Sequence, residues 1–246
     1  MEKVALVTGA AGGLGQAVAD KLAAAGWKLI LSSRDGERLA RAYGNRHLQI
    51  VADCSSVAGA RLILEVAKAH QFQPVALAHC VGNIRLGALH RMSESDFMDC
   101  LNANLISAFH TLSAFVGALK DANSAGAAVL VSSAAARIGT PNHEAIAAAK
   151  AGVEGLVRGA AATYAASGIR INAVAPGIMD TPAAARILGS APAREAAARQ
   201  YPLPGIATPD QLAELMVWLL SESAARVTGQ VWSMDSGFSS IRPLIK

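Results

Sequence analysis

The stretch VALVTGAAGGLGQAVADKLAAAG, residues 4–26, decides the reading of the chain. Its opening apolar run has the character of a short buried strand, and the segment from Leu14 onward carries helical spacing of apolar residues. Gly9, Gly13 and Gly15 fall in the turn between them and at the start of the helix. Glycines are required where a chain turns sharply, where backbone approaches a pyrophosphate, and where helix packs close on strand. The helix start then offers unpaired N–H groups and a positive dipole end to phosphates. A glycine pattern alone is weak evidence, but here the strand before it and the helix after it supply the context that a dinucleotide site demands.

Outward from this unit the same alternation continues. KVALVTG, WKLILSS, HLQIVAD, VALAHCVG, GAAVLVSS, IRINAVAPG and QVWSMDSG read as strands, separated by segments with helical periodicity. Strand then helix, repeated, predicts an α/β fold: a Rossmann-type, doubly wound parallel sheet of about seven strands with helices on both faces. No linker, charge block or repeat divides residues 1–246, which implies a single domain. One segment, residues 175–209, breaks the rhythm with several prolines, no strand signal and two short Ala/Arg stretches. Insertions after a strand usually lie over the carboxyl edge of such sheets, so residues 178–208 are expected to form a substrate lid. A surface excursion without function is the alternative.

Composition narrows the partners. An apolar content of 52% with 16% charged residues fits a continuous core. The net charge of +4 is spread along the chain and aromatics are only 4%, which argues against a nucleic-acid face. Cys54, Cys80 and Cys100 match neither a zinc spacing nor a CxxC motif, so no metal site is expected. No apolar run is long enough for a membrane span and no leader pattern is evident, so the cytoplasm is the expected location.

Several further motifs follow in order: VADCSS at 51–56, HCVG at 79–82, LNANL at 101–105, VLVSS at 129–133, Lys150 on its helix, RINAVAPG at 170–177 and TGQVWSMDSG at 228–237. With TGAAGGLG at 8–15, this series resembles the short-chain dehydrogenase/reductase family over essentially the whole chain. The resemblance implies NAD or NADP as cofactor, a small-molecule substrate, and a homodimer or homotetramer joined through the long helices. It implies that the cofactor meets Gly9, Gly13, Leu14 and Gly15 at its phosphates, Asp53 and Cys54 at the adenine, Val81 and Gly82 at the ribose, and Lys150, Pro176, Gly177, Ile178 and Thr181 toward the nicotinamide. HCVG departs from the family's usual NNAG and removes asparagines that normally tie the central strands together. Other contacts must replace them.

Cofactor choice rests on the end of the second strand. An NAD site places a carboxylate there for the ribose 2′-hydroxyl, whereas a 2′-phosphate calls for positive charge and hydroxyl donors. Family alignment puts Ser33 at the carboxylate position, with Arg34 next, and an arginine fork binds phosphate with paired charge-assisted hydrogen bonds. NADP is favoured over NAD. Arg34 as a solvated residue paired with Asp35 or Glu37 is the alternative.

The family's catalytic set is matched at Asn104, Ser133 and Lys150. The tyrosine position, four residues before Lys150, is Ile146. Isoleucine has no proton to give. His143 shares a helix face with Ile146 and Lys150 and titrates near neutrality, but it also sits where a helix begins, so a capping role competes with a chemical one. Tyr201, in the expected lid, is the remaining source of a phenol. Three functions stay open: an NADP-dependent carbonyl or hydroxyl oxidoreductase with a non-standard proton donor, a nucleotide-binding sensor or scaffold, and an enzyme of different chemistry on the same fold, such as double-bond reduction.

Overall fold

The computed structural model describes residues 3–242. The seven apolar runs become the strands β1 (Val4–Thr8), β2 (Lys28–Ser33), β3 (Leu48–Val51), β4 (Ala76–His79), β5 (Gly126–Val131), β6 (Ile169–Pro176) and β7 (Val231–Met234). All pair in parallel, in the order β3-β2-β1-β4-β5-β6-β7. Parallel strands need crossovers, and helices provide them: α1 (Gly13–Ala24), α2 (Gly36–Tyr43), α3 (Val57–Ala69), α4 (Glu94–Leu101), α5 (Ser107–Asp121), α6 (Glu144–Tyr164) and α8 (Pro209–Leu220). A short α7 (Ala191–Ala198) stands in the region that interrupts the alternation.

Two cores sandwich the sheet. On one face, Leu14, Val18 and Leu22 of α1, Leu39 of α2, and Leu212, Met216 and Leu219 of α8 pack on Val7, Leu29, Leu31 and Val129. On the other, Ile63 of α3, Leu112, Phe115 and Leu119 of α5, and Val153 and Val157 of α6 cover Leu6, Ile30, Leu77 and Leu130. Phe115, Leu6, Leu77 and Leu130 are fully buried. Truncating any of them to alanine costs about 2–5 kcal/mol.

The chain moves outward from β1 through β2 to β3, then returns to β4 on the other side of β1. Neighbouring crossovers therefore diverge at the carboxyl ends of β1 and β4 and leave a crevice there, the place where open α/β sheets bind ligands. Between α4 and α5, residues Asn102–Ile106 widen into a π-helical turn with helical backbone on both sides. Such turns shift the register of everything beyond them and are common at functional sites.

Candidate active site

The crevice is a cleft of about 430 Å3, lined at one end by Gly12, Gly13, Leu14, Gly15 and Arg38, and at the other by Asn104, Ser133, Ile146 and Lys150. Cys80, Val81 and Gly82 from the end of β4 form its floor, and Pro176, Gly177, Ile178 and Thr181 its far wall.

At the first end the glycines leave no room for side chains. Gly9 adopts φ +69, and a Cβ there would stand 2.7 Å from the Cys80 carbonyl carbon. A Cβ on Gly15 would overlap the Gly9 carbonyl oxygen. The N-cap of α1 is Gly12, which brings no side-chain cap, whereas α2, α3, α4, α7 and α8 are capped by Asp35, Ser56, Ser93, Ser190 and Thr208. Its first N–H groups therefore face the cleft without an internal acceptor, as a pyrophosphate requires. Arg38 of α2 donates to the Ala11 carbonyl at 3.0 Å and so holds a cation beside the loop.

The second end collects the chemistry. Ser133 stands just beyond β5, and its Oγ accepts the Ala135 N–H at 3.2 Å, leaving the hydroxyl proton free to be donated. Lys150 is 6% exposed and donates to the Val131 carbonyl at 2.8 Å. Burial lowers its pKa to about 8. Asn104 lies in the π-helical turn, and its Nδ2 donates to the Asn83 carbonyl, Asn83 Oδ1 and the Cys100 carbonyl. Its Oδ1 is buried without a partner. A Cβ on Gly82 would lie 2.6 Å from that oxygen and 3.5 Å from Lys150 Nζ. An orphaned acceptor beside a buried ammonium, both facing a cleft, is an arrangement that a polar ligand or water completes. Glycine cradle, uncapped helix and orphaned acceptor together fit a dinucleotide.

Ile146 lines the cleft and is 5% exposed, packed with Cys100, Ala145 and Ala149 against Phe97 and Leu101. His143 lies outside the cleft lining: it is the residue before α6, and its Nδ1–H donates to the Pro141 carbonyl at 2.8 Å. Tyr201 is also absent from the cleft lining and stands behind Gly177 and Ile178, its hydroxyl accepting the Ile178 N–H at 2.7 Å while its ring packs on Phe238. It anchors the segment after β6 and offers no phenol to the cleft. Ser33, Arg34, Asp53 and Cys54 stand beyond the lining residues, near the ends of β2 and β3. Ser33 Oγ accepts from the Asp35 N–H, and Arg34 is exposed, close enough to Asp53 to help hold its carboxyl below the usual range, after hydrogen bonds from Ser55. Cys54 is buried.

Two contributors escape sequence reasoning. Nothing in the sequence sets Arg38 apart from a surface residue of α2. His79, the first residue of the altered HCVG, accepts or donates at 2.8 Å with Thr8 Oγ1 of β1 and at 3.2 Å with Ser107 Oγ at the start of α5. The imidazole thus supplies the ties between central strands that the missing asparagines would make. Burial, then the nearby Lys150, lower its pKa to about 3, so it is neutral at ordinary pH.

The sheet order and cleft define a Rossmann-type, dinucleotide-binding oxidoreductase. The chain belongs to the short-chain dehydrogenase/reductase family: the family described as enoyl-(acyl carrier protein) reductase matches residues 9–239. The chain is 36% identical to cis-4-hydroxycyclohexanecarboxylate dehydrogenase of Sinomonas cyclohexanicum, with 98% of each covered. It is 34% identical to the 3-oxoacyl-[acyl-carrier-protein] reductase of Pseudomonas aeruginosa, with 96% of each covered. Among solved structures, ElxO with NADP bound superposes with a TM-score of 0.90 at 25% identity, over 98% of this chain and 100% of that one.

Proposed function

We propose that the protein is an NADP-dependent oxidoreductase that interconverts a carbonyl and a hydroxyl on a small, mainly apolar substrate. The observation that carries this is the meeting of Ser133 and Lys150 in one cleft with the glycine cradle. When bound, NADPH supplies the hydride. The α1 N-terminus with Gly9, Gly13, Leu14 and Gly15 holds its pyrophosphate, and Ser33 and Arg34 receive the 2′-phosphate, assisted by Arg38. Asp53 and Cys54 border the adenine, Val81 and Gly82 the ribose, and Lys150 with Pro176, Gly177, Ile178 and Thr181 the nicotinamide half. Ser133 donates its hydroxyl proton as a hydrogen bond to the carbonyl oxygen, stabilising the negative charge that builds there.

Ile146 occupies the position of the family's tyrosine, so the proton that completes reduction comes from another group. Residues 178–208 act as the lid. Its interior is apolar, formed by Ala184, Leu188 and Ala197 against Ile178, Ile187 and Ile206. Two of its arginines are engaged locally, Arg194 with Asp180 through two hydrogen bonds and Arg199 with Glu195. An apolar substrate suits such a cover better than an anionic one. A panel of cyclic and aryl ketones, assayed with NADPH and with NADH by loss of cofactor absorbance, tests the proposal. Turnover with NADPH is expected, and tight NADPH binding without turnover of any member would overturn it.

A further inference from the structure

The proton donor can be sought among the groups that the cleft presents. Among the described residues, its titratable lining residues are Arg38, Cys80 and Lys150. Arg38 sits at the phosphate end on the Ala11 carbonyl, and arginine does not give up its proton in water. The Cys80 thiol is pushed up to about 12 by burial, too weak an acid to serve near neutrality. His143 and Tyr201 are not among the residues that line the cleft. Lys150 remains, four residues from Ile146 on the same face of α6, with Ser133 lining the same end.

We propose, on the reading that the protein reduces carbonyls, that the Lys150 ammonium is itself the general acid, delivering its proton directly to the substrate oxygen. One of its three N–H groups is spent on the Val131 carbonyl, which fixes the nitrogen, and two remain. As the carbonyl carbon gains the hydride, its π pair moves to oxygen. An Nζ–H bond then breaks with its electrons staying on nitrogen, and the alcohol O–H bond forms. The neutral amine regains its proton from water, for which the orphaned Asn104 Oδ1 offers an acceptor in the same wall. Oxidation of an alcohol reverses these steps, with the neutral amine as base.

The surroundings suit an amine that must lose its proton. His79 and Cys80 at the end of β4 and Cys100 on α4 are the titratable groups that act on Nζ, and His79 is neutral while both thiols are held protonated by burial. Glu154, one turn along α6, is turned away to Ser132 and Arg137. Among the described residues no carboxylate clamps the ammonium, and Ile146 adds apolar surface beside it. Burial lowers the lysine's pKa to about 8, against the opposing pull of Cys100 and Cys80, into the range where an ammonium transfers a proton efficiently.

The test combines a direct titration with kinetics. Competitive acetylation of the intact protein by acetic anhydride, read at the Lys150 peptide by mass spectrometry over pH about 6 to 10, gives its pKa without turnover. A value well below that of ordinary lysines is expected, and an ordinary value overturns the proposal. The kcat for the best ketone of the panel should fall as pH rises through that same value. Lys150→Arg, compared with the parent at saturating NADPH after cofactor fluorescence confirms binding, should lose about 10²-fold or more in kcat along with the pH dependence. Lys150→Met, which removes the proton and the charge, should lose turnover as well. An Lys150→Arg enzyme with parental kcat and profile overturns the acid role while leaving the oxidoreductase reading intact. A parent that binds NADPH but reduces no ketone overturns both.

Discussion

Arg34 and Arg38 stand one helical turn apart on either side of the start of α2, and they are expected to differ in effect. Arg34 follows β2 and is exposed, so under the proposed function it contributes only charge at the ribose. Arg34→Ala should weaken NADPH by about 1.5–3 kcal/mol, the worth of a hydrogen bond to a charged group, and leave NADH unchanged. Arg38 also braces the Ala11 carbonyl of the phosphate loop, so Arg38→Ala should weaken both cofactors. Calorimetric titration of each variant with each cofactor separates the two roles. Ile146 is equally specific in its demands: buried against Cys100, Ala145 and Ala149, it has apolar neighbours on its inner side. Ile146→Tyr should cost about 1–3 kcal/mol through overpacking, seen as a lower thermal midpoint, and an unchanged midpoint would show that the site still accommodates a phenol. At this scale the sequence was readable wherever a residue type answers to one physical need. Gly9 and Gly15 are such cases, because any side chain strikes backbone. Arg38 was not readable, because an arginine on an amphipathic helix looks the same whether it faces solvent or a cleft.

Among the elements, the end of β4 carries the most information. His79 joins β1, β4 and the start of α5 as a neutral imidazole, so acid must weaken the fold through it. Its unfolded-state pKa is about 6.5 and its folded value about 3, so between these the unfolded chain binds the extra proton and stability falls as pH falls. Lowering pH from 7.5 to 5 should remove about 2 kcal/mol through this group, and a His79→Asn variant should lose correspondingly less in urea titrations at the two pH values. A second junction ties β5 to α6, where the buried Glu154 carboxylate accepts from Ser132 Oγ at 3.0 Å and Arg137 Nε at 3.2 Å. Arg137 continues to Ser233 and the Val231 carbonyl on β7. Arg137→Ala should destabilise by about 1–3 kcal/mol, measured by chemical denaturation, since it leaves a buried charge poorly matched. The strands and long helices were legible because apolar spacing records which face is covered. The π-helical turn was not, because a change of hydrogen-bond register over Asn102–Ile106 leaves no mark in residue type. Helix α7 was hidden for another reason: its Ala, Pro and Arg residues present little apolar stripe.

At the scale of the whole molecule, α6 exposes a stripe of small residues, Ala148, Ala151, Gly155 and Gly159, and α5 exposes Phe109. A Cβ added at Gly155 or Gly159 would meet nothing within 4 Å. Small residues in such a row let a second helix approach closely, which supports the homodimer or homotetramer expected from the family resemblance. Light scattering at micromolar concentration should give at least a dimer mass, and Gly155→Arg should shift it toward the monomer while leaving circular dichroism unchanged.

The wide turn at Asn102–Ile106 also has a meaning for the gene. A π turn holds one residue more than the α turn it replaces, so its structural content is a single codon inserted into an otherwise regular helix. Deleting one codon between 102 and 106 should return the turn to α-helical register and rotate α5 by about 100° relative to α4, so that Asn104 and the apolar faces of both helices cannot all keep their places. A single in-frame codon in this stretch therefore couples the placement of Asn104 to the packing of the two helices that flank it.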